Sequence, residues 1–467
     1  MDDKLLKLRS VLKTMPLNDN QINNILGIID TQNKEIYDTI TPLLEQYYSY
    51  GIERDYTSSS PNCIRIGNLD LHRSLPIQSK MRGCLLDDDG NVVEYLPEND
   101  WTTATRDGSK GQVMVEIPMH YRKFETKGTK HIVRLSEYPL SGYHQVPKMY
   151  VSAYEASIEH SSGKLCSVVN YDADYRGGTN IADWDETYRS LLGRPISNMN
   201  RSQFRFAARK RNTATSSWNC YLYHVHKALF WLYTVEYANL NSQLDYNSKL
   251  TSEGFCQGGL GIGITDLAYE IWTNFNNRCP FIPCGYTDTL GNRTGIVGYS
   301  IYNNDGSQIK KSNVPRYRGV ENPFGHIWKC IDGINVRIST TETNGGDNLS
   351  KVFVCEDPSK LNDTNYDGYK YVGNEARVEG YVKEIIFGKE GEIIPSIIGS
   401  DSMAFFCDYH YTGISTTEQL CGVILGGTAT TGVHSGLVCI NSSLNSLTSI
   451  NSYIGSRLCF IPTQNKN

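Results

Sequence analysis

The chain has 467 residues, with 45 Lys and Arg set against 50 Asp and Glu for a formal net charge of −5. A hydrophobic share of 39% beside 20% charged residues supports a sizeable core and excludes global disorder, and the slightly acidic balance gives no overall attraction for nucleic acid. No apolar run is long enough to span a membrane, the start MDDKLLKLRS lacks a signal-peptide core, and the length suggests roughly two or three structural units.

Residues 1–50 differ from everything after them. Ile22, Ile25, Ile29, Ile36, Ile40, Leu43 and Tyr47 recur at helical steps as one apolar stripe, interrupted by Asn33. Thr41-Pro42 is expected to restart the helix and Tyr50-Gly51 to end it, leaving a separable arm. Such a stripe needs a partner: copies of itself in a coiled coil, where Asn33 can fix the register, or a socket in a larger assembly, both placed ahead of packing on its own domain.

Residues 51–148 read as a β-rich region of short strands and turns. Ile64 to Ile66, Arg82 to Leu86, Val92 to Tyr95 and Val113 to Ile117 carry the strand signals, and Asp88-Asp89-Gly90-Asn91 makes a turn. Met149 to Glu155 then opens the region 149–467. Arg201 to Arg211 is a helix capped by Asn200 or Ser202, whose Arg201, Arg205, Arg209, Lys210 and Arg211 are expected on a solvated face rather than in a phosphate groove. Tyr221 to Asn241 is a helix apolar nearly all round, hence buried, and its His224 and His226 point different ways, which disfavours a metal pair.

The run Gly258 to Asp266 lacks the Lys-Ser/Thr of a phosphate-binding loop, so its glycines are assigned to close backbone approach. In Arg316 to Val336, Asn322-Pro323-Phe324-Gly325 is a turn. Asp332-Gly333 is expected to make a hairpin between His326–Ile331 and Ile334–Ile338, with one face buried and one wet. Asp363-x-Asn365-x-Asp367-Gly368 matches half of a calcium loop, but Asn374 stands where the bidentate Glu belongs, and a simple turn explains it. The thirteen cysteines form no Cys-x-x-Cys pair and are read as buried free thiols, with Cys279 and Cys284 near enough for a small loop clip.

From Ser402 to Ser456 there is no Lys or Arg, and the acidic residues are Asp408 and Glu418. Aromatics, Thr, Ser and Gly replace them, the composition of adaptable binding loops.

Three stretches carry a resemblance. Gly319-Val320-Glu321-Asn322-Pro323-Phe324-Gly325-His326-Ile327-Trp328 with the following Asp-Gly-Ile resembles the core of the C-type-lectin fold, in its formylglycine-generating-enzyme-like branch. That branch occurs in phage and prophage tail proteins and in variable proteins of diversity-generating retroelements. Cys63 to Gly90 resembles virion proteins of Bacteroidales phages. Gly426-Gly427, Gly436-Leu437-Val438 and the closing Gly455-Ser456-Arg457 are similar to the family's terminal segment, although Ser456 stands where relatives commonly carry Phe.

The resemblance implies an α+β protein: a helical anchor or oligomerisation arm over 1–50, a β-rich region over 51–148, and a C-type-lectin-like domain over 149–467 with a display segment at 400–460. By position it implicates Tyr409, His410, Tyr411, Thr428, Thr430, Thr431, His434 and Asn441 in ligand binding. The function implied is a tail- or head-fibre virion protein, trimeric, joined to other virion proteins through 1–50 and presented to a bacterial surface glycan or protein. No catalysis, cofactor, metal, nucleic acid or membrane insertion is expected. A spacer in virion assembly is the alternative, and a formylglycine-generating-type enzyme is disfavoured because the terminal segment lacks that catalytic motif.

Overall fold

A computed structural model of the chain describes residues 3–31, 33–302, 307–415, 417–443 and 447–462. The N-terminal helices are α1 (Asp3–Lys13), α2 (Asp19–Thr31) and α3 (Asn33–Tyr48). They do not form one free stripe. Leu8, Leu12, Met15, Ile22 and Leu26 close on Leu140, with Ile25, Ile40, Tyr138 and Tyr143 around them. Lys123 ties the far side down through an ion pair of 2.7 Å to Glu45. Two boundary expectations are corrected. Pro42 lies inside α3, where its missing N–H removes one rung without ending the helix. Tyr50 and Gly51 already belong to the strand Tyr50–Asp55, because pairing with Lys130–Ser136 uses their backbone groups. The side chains of Ile29, Asn33 and Ile36 lie outside the described residues.

The chain is a mixed α+β protein. Tyr50–Asp55 is second in a five-stranded sheet, followed in sequence by the short α4 (Leu69–Ser74). A six-stranded sheet then joins the two ends of the molecule. In it Arg82–Leu86, Val92–Tyr95 and Gln112–Ile117 pair onward to Met149–Ser152, then to the C-terminal Leu458–Phe460, then to Trp218–Cys220. Continuous hydrogen bonding therefore runs across the division expected at 148/149.

Helix α5 (Arg201–Arg209) starts at Asn200 in a reciprocal capping box with Gln203. Its arginines are not on a solvated face, which corrects that expectation. Arg201 and Arg205 are buried, and Arg205 bonds Asp363 at 2.8 Å and pairs with buried Asp332. Carboxylates from distant loops supply what the local pattern could not reveal. Helix α6 (Tyr223–Tyr237) is buried along its whole length, as its all-round apolar pattern requires.

The largest sheet has nine strands built around Trp328–Ile338. Here the expected hairpin is overturned: Asp332-Gly333 sits inside one strand as a bulge, and the strand is buried on both faces. Both halves pair with the same neighbour, Gln419–Leu425, and the register shifts between Ile331 and Val336. Gly333 has φ +79°, its N–H bonds the Asp332 carboxylate at 2.7 Å, and its carbonyl accepts from Cys355. The φ > 0 that suits an Asp-Gly hairpin equally suits a bulge, and only the partner strand decides between them. Helix α7 (Tyr269–Asn276) closes the set of helices.

Candidate functional site

A concave site of about 430 Å³ opens on the C-terminal segment. Its floor comes from the central strand and its neighbours: Trp328 at the strand start, then Tyr411 and Asn441, which face each other in the parallel pair of Tyr409–Tyr411 with Ile440–Asn441. The Tyr411 and Trp328 rings meet edge to face with centroids 5.9 Å apart. One wall is the turn carrying Thr428, Thr430 and Thr431, with His434 after it; the opposite wall is Trp272, Arg278 and Tyr453.

Backbone bonds explain why the threonine turn is fixed. Gly325 N–H donates to Gly426 O at 2.8 Å, Ala429 N–H to His326 O at 2.9 Å, and Gly432 N–H to Thr265 O at 2.7 Å. The Asn-Pro-Phe-Gly turn and the glycine-rich loop thus hold the site's wall. At Gly263, φ +71° and a Cβ that would lie 2.9 Å from the Phe324 ring require glycine. Within the turn, Thr428 N–H donates to Thr431 Oγ1 at 2.8 Å, and the Thr428 hydroxyl lies 2.9 Å from that of Thr431.

Aromatic contacts align the polar groups. His434 stacks on Tyr409 at 4.2 Å and 14°, Tyr381 meets both edge-on, and the Tyr411 hydroxyl shares a hydrogen bond of 2.8 Å with His434 Nδ1. Partial burial moves the His434 pKa down, which favours the neutral imidazole beside the Tyr411 hydroxyl. Asn441 Oδ1 accepts from Ser443 N–H at 2.8 Å, which leaves its amide hydrogens for a ligand.

Of the eight residues singled out in the sequence, Tyr411, Thr428, Thr430, Thr431, His434 and Asn441 line this one site. Tyr409 stands behind His434 as its stacking support. His410 is corrected: it is fully buried, and its Nε2 bonds Ala376 O at 3.1 Å, because alternate residues of a strand face opposite ways. Burial pushes its pKa down to about 4. Trp272, Arg278, Tyr381 and Tyr453 were not found in the sequence, and Trp328 was taken only as core.

Beneath the site lies a buried acidic layer. Glu375 Oε1 accepts from Ser442 at 2.8 Å and Thr412 at 3.2 Å, and burial raises its pKa to about 8. Asp408 is raised well above the usual carboxylate range for the same reason. Deeper still, Glu155 pairs with Lys329 at 2.9 Å and shares a hydrogen bond with His326 Nδ1; the ammonium and that bond overcome burial and hold its pKa down at about 2. All three are shut from solvent and serve the core.

Comparison with known proteins adds little. No family model matches the chain, and no curated protein matches it. Among solved structures, PvdO from Pseudomonas aeruginosa aligns at 9% identity with a TM-score of 0.32, covering 77% of this chain and 100% of that one. That likeness is too slight to assign a fold family.

The remaining sequence candidates lie elsewhere. Asp363 of the partial calcium loop is occupied by the guanidinium groups of Arg201 and Arg205. None of the thirteen cysteines is in a disulfide, Cys279 and Cys284 included. Among the described residues no cluster of three or more His, Cys, Asp or Glu could hold a metal ion, and no helix is long and apolar enough to cross a membrane. Ser456, the departure from the resembled closing motif, has a structural use: its buried hydroxyl donates to Cys330 O at 2.7 Å. Its neighbour Arg457 reaches Asn322 O at 2.7 Å and Ser152 O at 3.2 Å.

Proposed function

We propose that this chain is a bacteriophage virion protein of the tail- or head-fibre type, with a C-type-lectin-like domain over 149–467 that reads a glycan or protein on the surface of a Bacteroidales host. In this reading it acts as a homotrimer, attached to other virion proteins through residues 1–50, and is assembled in the host cytoplasm. It has no catalytic role. The sequence resemblances support the virion setting. The observation that carries the receptor role is the convergence of Tyr411, Thr428, Thr430, Thr431, His434 and Asn441 on one concave site in the charge-poor terminal segment. Rings offer flat apolar contact at low entropy cost, while hydroxyls and an amide supply direction, the combination expected of an adaptable recognition surface.

The wall contains no carboxylate and no thiol. The test is binding of fluorescently labelled protein to a panel of Bacteroidales cells, with a Tyr411→Ala, Thr430→Ala, His434→Ala triple variant of matched thermal stability beside the parent. Loss of cell binding in the variant alone is expected. A parent that binds no strain would move the assignment to a spacer in virion assembly.

A further inference from the structure

We infer that the pocket takes an acidic saccharide, a sugar bearing an oxyanion, with Arg278 as the group that reads the charge. The inference rests on the receptor reading above and names the chemistry of its ligand. Arg278 belongs to the pocket wall, and among the described residues its guanidinium makes no ion pair and no hydrogen bond to a protein acceptor. Several other arginines are spent on carboxylates: Arg201 and Arg205 on Asp332 and Asp363, Arg211 on Asp88, Arg318 on Glu236. Arg278 instead packs over two aromatic rings, its Cζ 4.5 Å from the Tyr453 centroid and 5.1 Å from that of Tyr269. Contact with two rings restrains the guanidinium without using its N–H groups, which a carboxylate or phosphate can engage in a bidentate pair.

Two further observations point the same way. The backbone of Arg278 is held in the left-handed region at φ +60°, directly after Asn277 at φ +54°, where the end of α7 bonds Arg278 N–H to Trp272 O. A non-glycine residue in that conformation is strained, and such strain persists at sites that need a particular side chain. The pocket wall also carries no negative charge to repel an anion. Glu379, which acts on Tyr411 from outside the wall, is solvent-exposed. Around this one cation, the Tyr411 and Tyr453 rings offer platforms for the apolar face of a pyranose. The Thr430 hydroxyl and the Asn441 amide are available for its hydroxyls.

The experiment uses the full chain and a strain that it binds. Surface polysaccharide from that strain competes for cell binding in three forms: native, carboxyl-reduced, and dephosphorylated with aqueous hydrofluoric acid. The parent protein is compared with Arg278→Gln and with Arg278→Gly, the latter relieving the left-handed strain while removing the charge. One of the two treatments is expected to raise the inhibitory concentration at least about tenfold, which also separates uronate from phosphate. Both variants are expected to lose at least about tenfold in cell binding at unchanged melting temperature. Equal competition by all three forms, or undiminished binding by both variants, overturns the acidic ligand and leaves the receptor role standing. Binding abolished by protease treatment of the cells, without competition by any polysaccharide, overturns the saccharide and points to a protein receptor. If the parent binds no strain, the receptor reading itself fails, and this inference with it.

Discussion

Glu375 shows how a single residue beneath the pocket can be tested through protonation. Its raised folded pKa, about 8, means that the folded chain holds the proton more tightly than the unfolded chain does. That contribution to stability is therefore complete below the unfolded value near 4.5 and is lost as pH rises toward 8. Glu375→Gln keeps the shape and cannot ionise. It is expected to gain on the parent between pH 5 and 8 by about 2 kcal/mol, read as the difference between urea unfolding free energies at the two pH values. A constant difference would show that Glu375 ionises alike in both states. The same strand holds a lesson about legibility. Tyr409, His410 and Tyr411 were singled out together by their position in the resemblance, yet the period of two, readable without a structure, sends His410 to the opposite face from its neighbours.

The strand Trp328–Ile338 is the element on which most of the fold depends. Asp332 bonds Gly333 N–H and pairs with Arg205, so one carboxylate fixes the bulge and anchors α5. Asp332→Asn leaves buried Arg205 short of a counter-charge and is expected to destabilise the chain by about 3–5 kcal/mol in chemical unfolding. Gly333→Ala places a Cβ 2.8 Å from Cys355 O at a left-handed position, and about 1–3 kcal/mol should be lost. If both substitutions prove neutral, the bulge is not what holds the sheet in register. The strand character and the Asp-Gly irregularity were legible in the sequence. The choice of bulge over hairpin was not, since a hairpin needs its two arms to pair with each other, and here both arms pair with Gln419–Leu425.

For the whole molecule, two sets of buried groups set the pH of greatest stability. His72, His120, His224, His226 and His410 are each pushed down to about 4 by burial. Between there and 6.5 the unfolded chain binds their protons first, so stability rises with pH through that window. Glu321 and Glu375, raised to about 7 and about 8, act in the opposite sense and withdraw stability as pH climbs from 4.5 through those values. The histidines outnumber these carboxyls below 6.5 and fall silent above it. The melting temperature should therefore peak near pH 6.5 and decline toward pH 8; a rise continuing to pH 8 would contradict this balance. Assembly is testable at the same scale. Leu43 and Tyr47, one helical turn apart on α3, remain 47% and 62% exposed while the rest of the helical cluster closes inward. If that face joins copies of the chain, Leu43→Glu with Tyr47→Ser should reduce the sedimentation mass to that of a monomer without altering the melting of the β-sheets. An unchanged mass would remove this face as the seam.

The sequence by itself determined the elements whose signal is local: the all-apolar α6, the capped α5, the short strands between 64 and 117, and the ring- and hydroxyl-rich terminal segment in which seven pocket residues lie. Only the tertiary structure decided what those elements meet. Trp272 and Arg278 reach the pocket from the end of α7, far upstream of the terminal segment, and the arginines of α5 find Asp332 and Asp363 from separate strands and loops. Periodicity reports which face of an element is apolar, because burial repeats with the backbone geometry. It carries no information about which distant carboxylate, ring or strand will lie against that face, since such pairings are settled by packing among segments that the chain brings together only when it folds.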